Sequence, residues 1–67
     1  MKITVNDIVE NIADNTTVAQ LIEARGIAGQ GGVAVAVNGK VVKKVDWDTH
    51  TLHELDSVLI INAAYGG

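Results

Sequence analysis

The fold of this chain is decided by residues 33–45, which read VAVAVNGKVVKKV. Valine and alanine alternate over 33–37, a pattern that predicts a strand with valines on one face and alanines on the other. Asn38-Gly39 is a preferred pair for a type I′ hairpin turn, because both residues tolerate a positive φ. Residues 40–45 are therefore expected to return as a second strand. The alanines leave their sheet face low and smooth, so that the helix or another protein can pack closely against it.

A short helix is predicted before this hairpin, over residues 18–25. Thr17 and Gln20 have the spacing of a capping box, in which each side chain satisfies a backbone N–H at the start of a helix. Gly26 is placed to end the helix in a left-handed conformation. The glycine-rich residues 28–32 are interpreted as a connector, because a strand follows them and the Lys-Ser/Thr of a phosphate-binding loop is absent.

The two ends of the chain are predicted to contribute neighbouring strands. Residues 1–5 alternate between apolar and polar, which indicates a half-buried strand, and Asn6-Asp7 is typical of a tight turn. Residues 8–13 are expected to complete a hairpin. Residues 57–63 are apolar almost throughout, which favours a central strand beside the first one and buried on both faces.

The segment between the hairpin and the last strand is irregular and holds the candidate metal ligands. Trp47 is expected to cover one edge of the core. His50 and His53 are interpreted as solvated or packed side chains, because zinc sites need three or four ligands and the chain has no cysteine.

Composition excludes several classes of function. A chain of 67 residues without cysteine forms one small domain with no disulfide, no thiolate metal site and no thiol nucleophile. The net charge is −3, and the lysines at 40, 43 and 44 are followed at once by Asp46 and Asp48, so no dominant basic patch for nucleic acid is expected. No apolar run approaches the length of a membrane span or signal peptide, which predicts a cytoplasmic protein that binds no membrane.

The predicted order of strands and helix describes an α+β protein, with a mixed sheet of about five strands and one helix packed across it. That order, followed by a terminal Gly-Gly, looks like the ubiquitin-like β-grasp fold. More narrowly, the chain resembles the ThiS family of thiamine-biosynthesis sulfur carriers. The resemblance rests on four stretches: MKITVND (1–7), TTVAQLIEARGI (16–27), VAVAVNGKVVKKVDWDTHTL (33–52) and SVLIINAAYGG (57–67).

The resemblance implies a β-grasp domain at 1–63 and a flexible Gly-Gly tail at 64–67. It also implies that the carboxylate of Gly67 is adenylated and then converted to a thiocarboxylate. Gly66 lacks a side chain and suits a narrow cleft. Gly66, Tyr65 and Ala64 are therefore expected to bind the partner enzyme.

The chain is expected to be a protein co-substrate and not an enzyme. It has no element that would bind ATP, so ATP and magnesium are expected on a separate E1-like adenylyltransferase. The implied partners are that enzyme, a persulfide sulfur donor and a thiazole synthase. Two alternatives stay open: a carrier like the small subunit of molybdopterin synthase, and a ubiquitin-like modifier or interaction module.

The sequence departs from the family pattern in two places. Leu55 occupies a position that is usually glycine, so that either the turn differs or Leu55 folds inward. Tyr65 occupies a position that is usually small. It either anchors the tail in an apolar pocket of the partner or folds back on the domain.

Overall fold

The computed structural model describes residues 1–62 of the chain. The boundary predicted between 63 and 64, and the predicted flexibility of 64–67, lie outside the described residues. The strands and helices are β1 (Lys2–Val5), β2 (Ile8–Asn11), α1 (Val18–Ala24), β3 (Val33–Val37), β4 (Lys40–Val42), a 3₁₀ helix (Lys44–Asp46) and β5 (Ser57–Asn62).

The five strands form one mixed sheet in the order β2-β1-β5-β3-β4. The central strand β5 runs parallel to β1 and antiparallel to β3, while both hairpins are antiparallel. The prediction that the last strand lies in the centre, beside the first, is confirmed. With one helix on one face, this is the β-grasp arrangement.

Both ends of α1 have the predicted caps. The Thr17 hydroxyl accepts a hydrogen bond from the Gln20 N–H, and the Gln20 side chain accepts one from the Thr17 N–H. At the other end Gly26 has φ 73° and donates to the Glu23 carbonyl at 2.9 Å, while the Ile27 N–H is directed at the Ile22 carbonyl at 3.5 Å. This is a Schellman motif, and it ends the helix after Ala24 with Arg25 as the C-cap.

The hydrophobic core lies between α1 and the inner face of the sheet. The buried apolar residues are Ile3, Val5, Val18, Leu21, Ile22, Val35, Val37, Val42, Trp47, Leu52 and Val58. The valines predicted to share one face of the first hairpin strand are those that point inward, at positions 35 and 37. Alternation along the strand therefore places the alanines on the opposite face.

Strands β2 and β4 are shorter than predicted. The sequence predicts the return strand of the second hairpin to Val45, but β4 ends at Val42 and the 3₁₀ helix follows. This turn of the chain brings Trp47 to the core, where its indole N–H donates to the Val42 carbonyl at 2.9 Å. Trp47 is 6% exposed, so its predicted packing role is confirmed.

The prediction that β5 is buried on both faces is wrong. Val58 is buried, but Leu59 and Ile61 on the other face are 49% and 52% exposed. In residues 1–62 the single α-helix covers only one face of the sheet. A continuous apolar run predicts a strand with two covered faces, whereas β5 has one covered face and one exposed apolar face.

Leu55 does not fold inward. It has φ 68° and is 73% exposed, and its N–H donates to the Lys2 carbonyl at 2.7 Å. A left-handed backbone costs a residue with a β-carbon about 1–2 kcal/mol, a cost that glycine does not have. The turn before β5 therefore contains backbone strain.

Replacing Leu55 with glycine is expected to stabilise the protein. Relief of about 1–2 kcal/mol of strain outweighs the about 0.5–1 kcal/mol that glycine's extra freedom in the unfolded chain costs. We expect a net gain of about 0.5–1 kcal/mol in the free energy of urea unfolding. Leu55→Ala is the matched control, since it removes the exposed side chain and keeps the strain. A Leu55→Gly variant no more stable than Leu55→Ala would contradict this account.

Candidate functional site

The predicted site residues Ala64, Tyr65, Gly66 and Gly67 lie outside the described residues 1–62. The structure does define the strand that leads toward them. β5 is the central strand of the sheet and its last residue is Asn62, five positions before Gly67. The surroundings of β5 therefore decide where the last described part of the chain is held.

Apolar side chains cover much of the sheet face that points away from α1, which we call the outer face. In β4, β3 and β5 the residues on this face pair across the sheet: Ala36 lies opposite both Val41 and Leu59, and Ala34 lies opposite Ile61. Val9 on β2 lies on the same face, opposite Thr4. The apolar residues of the outer face are Val9, Ala34, Ala36, Val41, Leu59 and Ile61.

The large side chains of the outer face are open to solvent. Val9 is 58% exposed, Val41 is 76% exposed, and Leu59 and Ile61 are each about half exposed. The small alanines between them keep the centre of the surface low, as the sequence predicts. Contiguous exposed apolar surface is one of the features by which binding sites on soluble proteins are recognised. Since Leu59 and Ile61 belong to β5, the outer face is continuous with the strand that leads to the terminus.

A hydrogen-bonded cluster holds the start of β5. Asp56 is 9% exposed, and its carboxylate accepts from the His53 N–H at 2.8 Å and from the Asn38 side-chain amide at 2.9 Å. The Asn38 side-chain oxygen accepts from the Ser57 N–H at 2.9 Å. These bonds join the β3–β4 turn to β5. The sequence identified Asn38 only as a turn residue, because nothing local shows that its side chain reaches a segment 18 positions away.

Side-chain amides hold the other end of β5. Asn6 accepts a hydrogen bond from the Ile60 N–H at 2.8 Å and donates one to the Ile60 carbonyl at 3.2 Å. Asn62 donates from its side chain to the Gln30 side-chain oxygen at 2.8 Å. Sequence reasoning missed both contacts, since it treated Asn6 as a turn residue and residues 28–32 as a plain connector.

The two histidines are not brought together with further ligands. The His53 Nδ1 atom lies 3.9 Å from Asp56, and His53 is 80% exposed in its side chain. Within residues 1–62, no group of three or more histidine, cysteine or carboxylate side chains could hold a metal ion. The same part of the chain has no helix whose length and apolar character would let it cross a membrane.

The loop at 28–32 joins the end of α1 to β3 and not to the start of a helix. A β-carbon added at Gly29 or Gly31 would meet no other atom within 4 Å, so neither glycine is required for a close approach of the folded chain. The loop is the predicted connector, and its Gln30 side chain also accepts a hydrogen bond from Asn62 at the end of β5.

Three kinds of comparison with known proteins, by family model, by sequence and by structure, indicate the same family. The sequence model of the ThiS family matches residues 2–67. The chain is 31% identical over 67 residues to the sulfur carrier protein ThiS of Escherichia coli strain K12, with all of both chains covered.

Two solved structures of a Geobacter metallireducens thiamine biosynthesis protein (ThiS) have the same fold. Its crystal structure matches with a TM-score of 0.83 and 29% identity, and each chain is covered completely. Its solution structure matches with a TM-score of 0.81 at 29% identity, covering all of this chain and 88% of that one. The family match over nearly the whole sequence and the shared β-grasp fold together show that this chain belongs to the ThiS family.

Proposed function

We propose that this ThiS-family protein is a sulfur carrier of thiamine biosynthesis, and that the carboxylate of Gly67 is the group that carries the sulfur. The observation that supports this most directly is the outer face. It is apolar and exposed, and its central strand β5 leads toward the terminal Gly-Gly. In this proposal the chain is a protein co-substrate, and the catalytic groups belong to its partners.

The chemistry begins with activation, because a free carboxylate has no good leaving group. An oxygen of the Gly67 carboxylate attacks the α-phosphorus of ATP, and pyrophosphate leaves. The product is an acyl-adenylate, in which AMP is the leaving group on the carbonyl carbon. ATP and its magnesium ion are bound by an E1-like adenylyltransferase.

Sulfur enters in the next step. The terminal sulfur of a persulfide on the donor protein attacks the carbonyl carbon of Gly67, and AMP leaves. A thiol then attacks the donor's own sulfur in the bond that joins carrier and donor, forms a disulfide with the donor, and releases Gly67 as a thiocarboxylate. The thiocarboxylate passes its sulfur to the substrate of a thiazole synthase, and an oxygen atom from that substrate or from water restores the carboxylate of Gly67.

The outer face supplies the recognition surface for the adenylyltransferase. Leu59 and Ile61 come from the strand that leads to the tail, so docking this face also brings the terminus to the enzyme. Beyond β5, Ala64, Tyr65 and Gly66 contact the enzyme's cleft, and Gly66 presents no side chain there. In this proposal the protein works in the cytoplasm, which is also the sequence-based prediction.

Purification of the chain with its partners from its own cell tests this function against the two alternatives. Co-purification with a thiazole synthase is the expected result. Co-purification with the large subunit of molybdopterin synthase would instead place the chain in that pathway. Recovery of the chain linked through Gly67 to lysine side chains would show a ubiquitin-like modifier and contradict the proposal.

A further inference from the structure

The end of β5 extends beyond its neighbour β1. The two strands pair in register only at Thr4–Ser57 and Val5–Val58, after which the chain leaves β1 in the turn at Asn6 and Asp7. On the other flank, β3 pairs with β5 as far as Asn62. The last residues of β5 therefore have a full strand partner on the β3 flank, while β1 ends earlier on the other.

Asn6 continues the pairing where β1 ends. Its backbone N–H donates to the Val58 carbonyl at 2.9 Å, as the next residue of a strand would do. Its side-chain amide then makes both bonds to Ile60, accepting from the N–H and donating to the carbonyl. A carboxamide has one acceptor oxygen and two N–H donors, so it reproduces the hydrogen bonding of a peptide group.

The conformation of Asn6 makes this contact compatible with the turn. Asn6 has φ 50° and Asp7 has φ 67°, left-handed values that asparagine and aspartate adopt more readily than most residues. The backbone of Asn6 therefore reverses toward β2 while its side chain stays beside β5. Asparagine is one of few residues that can do both.

A second amide holds β5 two residues further along. The Asn62 side chain donates to the Gln30 oxygen at 2.8 Å, and the Gln30 N–H donates to the Ile27 carbonyl at 3.1 Å. The loop that follows α1 is thus connected to the last described residue of the chain. We call the contacts of Asn6 and Gln30 with β5 the amide clamp.

We infer that Asn6, supported by Gln30, is a positioning residue that sets the direction in which the chain leaves the sheet toward Gly67. This inference rests on the proposed function. Five residues span up to about 17 Å when the partner's cleft holds them extended, so in that bound state a rotation of the chain at Asn62 displaces the Gly67 end in proportion to this length. A misplacement of about 1 Å at a reacting group can lower a rate a hundredfold.

Asn6→Gly tests the inference with the turn preserved, because glycine adopts the left-handed backbone and has no side-chain amide. With the host's adenylyltransferase, we expect kcat for adenylation to fall about tenfold while KM changes by less than about twofold. The outer face keeps its pairing between β3 and β5, so docking is retained. In the isolated chain we expect the Ile60 amide to exchange with deuterium at least about tenfold faster.

Asn15→Gly is the matched control. Asn15 also has a positive φ, 66°, and is exposed, and it makes no side-chain hydrogen bond within the described residues. Its kcat and the exchange of the Ile60 amide should stay at wild-type values. Gln30→Ala should lower kcat less than Asn6→Gly does, and Gln30→Glu should lower it least because it keeps an acceptor oxygen for Asn62.

The two readouts separate failure of the inference from failure of the proposed function. If the Ile60 amide of Asn6→Gly exchanges with deuterium at the wild-type rate, the amide clamp does not exist. This result is obtained on the isolated chain and needs no partner enzyme. A wild-type kcat in that variant, or a rise in KM alone, would show that Asn6 does not position the tail. If the wild-type chain is not adenylated, the proposed function fails, and the exchange of Ile60 still decides whether the amide clamp exists.

Discussion

Replacing Gly67 with alanine is expected to lower kcat/KM for adenylation by about a hundredfold or more and to leave the stability of the fold unchanged. The added methyl group lies on the carbon that bears the reacting carboxylate. Inside an enzyme cleft it must displace atoms of the partner or shift the carboxylate, and a shift of about 1 Å can cost a hundredfold in rate. Within residues 1–62 the buried core residues lie between Ile3 and Val58, so a methyl group added at residue 67 is not expected to change the free energy of unfolding.

The measurement is ATP–pyrophosphate exchange with the host's adenylyltransferase, together with urea unfolding of the isolated chain. Gly31→Ala is the matched control, because it adds the same methyl group where no atom lies within 4 Å. The adenylyltransferase should catalyse pyrophosphate exchange with this variant at the wild-type rate. A wild-type rate of pyrophosphate exchange with Gly67→Ala would mean that the adenylyltransferase does not discriminate against a side chain at residue 67.

Replacing Leu59 with lysine is expected to raise KM for adenylation about thirtyfold or more, with kcat nearly unchanged. Leu59 lies in the middle of the outer face, opposite Ala36 and in the strand that leads to the tail. A lysine there brings a charge into an apolar interface that must exclude water, and central interface residues commonly contribute about 2 kcal/mol or more to binding. Because Leu59 is half exposed, the substitution should cost the fold less than about 1 kcal/mol.

Val45→Lys is the control for this substitution. Val45 is 84% exposed and lies in the 3₁₀ helix, outside the outer face. The Val45→Lys substitution introduces the same charge and also removes an exposed apolar side chain. Because this side chain lies outside the outer face, KM should stay at the wild-type value. Equal effects of Leu59→Lys and Val45→Lys would show that net charge matters and that the outer face is not the docking surface.

The sequence predicts those parts of the fold that local chemistry determines. The left-handed preference of Asn38-Gly39 sets the β3–β4 hairpin. Thr17, Gln20 and Gly26 set the two ends of α1, since each acts on backbone groups within a few positions of itself. The position of β5 beside β1 follows from the need to join these elements in one layered core.

Other features depend on contacts that no local pattern reveals. Leu59 and Ile61 are as apolar as core residues, and only the absence of a second covering layer within residues 1–62 makes them surface. Asn6 and Ile60 are 54 positions apart, and their contact depends on the register of β1 with β5. The register of β1 with β5 cannot be derived from a single sequence, so the sequence identifies Asn6 only as a turn residue.

The same limit applies to the start of β5. The carboxylate of Asp56 is buried because the β3–β4 turn folds over it and supplies the amide of Asn38. From the sequence alone, Asp56 and Ser57 indicate only a turn. The structure shows that this turn includes a strained residue, Leu55, and that polar side chains fix both ends of the central strand.

The proposed sulfur-carrier function is decided by whether Gly67 carries sulfur in the cell. The chain is purified from its own cells grown without thiamine, treated with a thiol-alkylating reagent, and measured as an intact mass and as a C-terminal peptide. Alkylation is needed because oxidation of Met1 or Trp47 adds nearly the same mass as exchange of one oxygen for sulfur.

The chain has no cysteine, so a thiocarboxylate is the group that should take up the reagent. We expect a fraction of molecules with one oxygen replaced by sulfur and one alkyl group, both located at Gly67. Under the same growth conditions, a chain that carries only its ordinary carboxylate and takes up no reagent at Gly67 would contradict the proposed function.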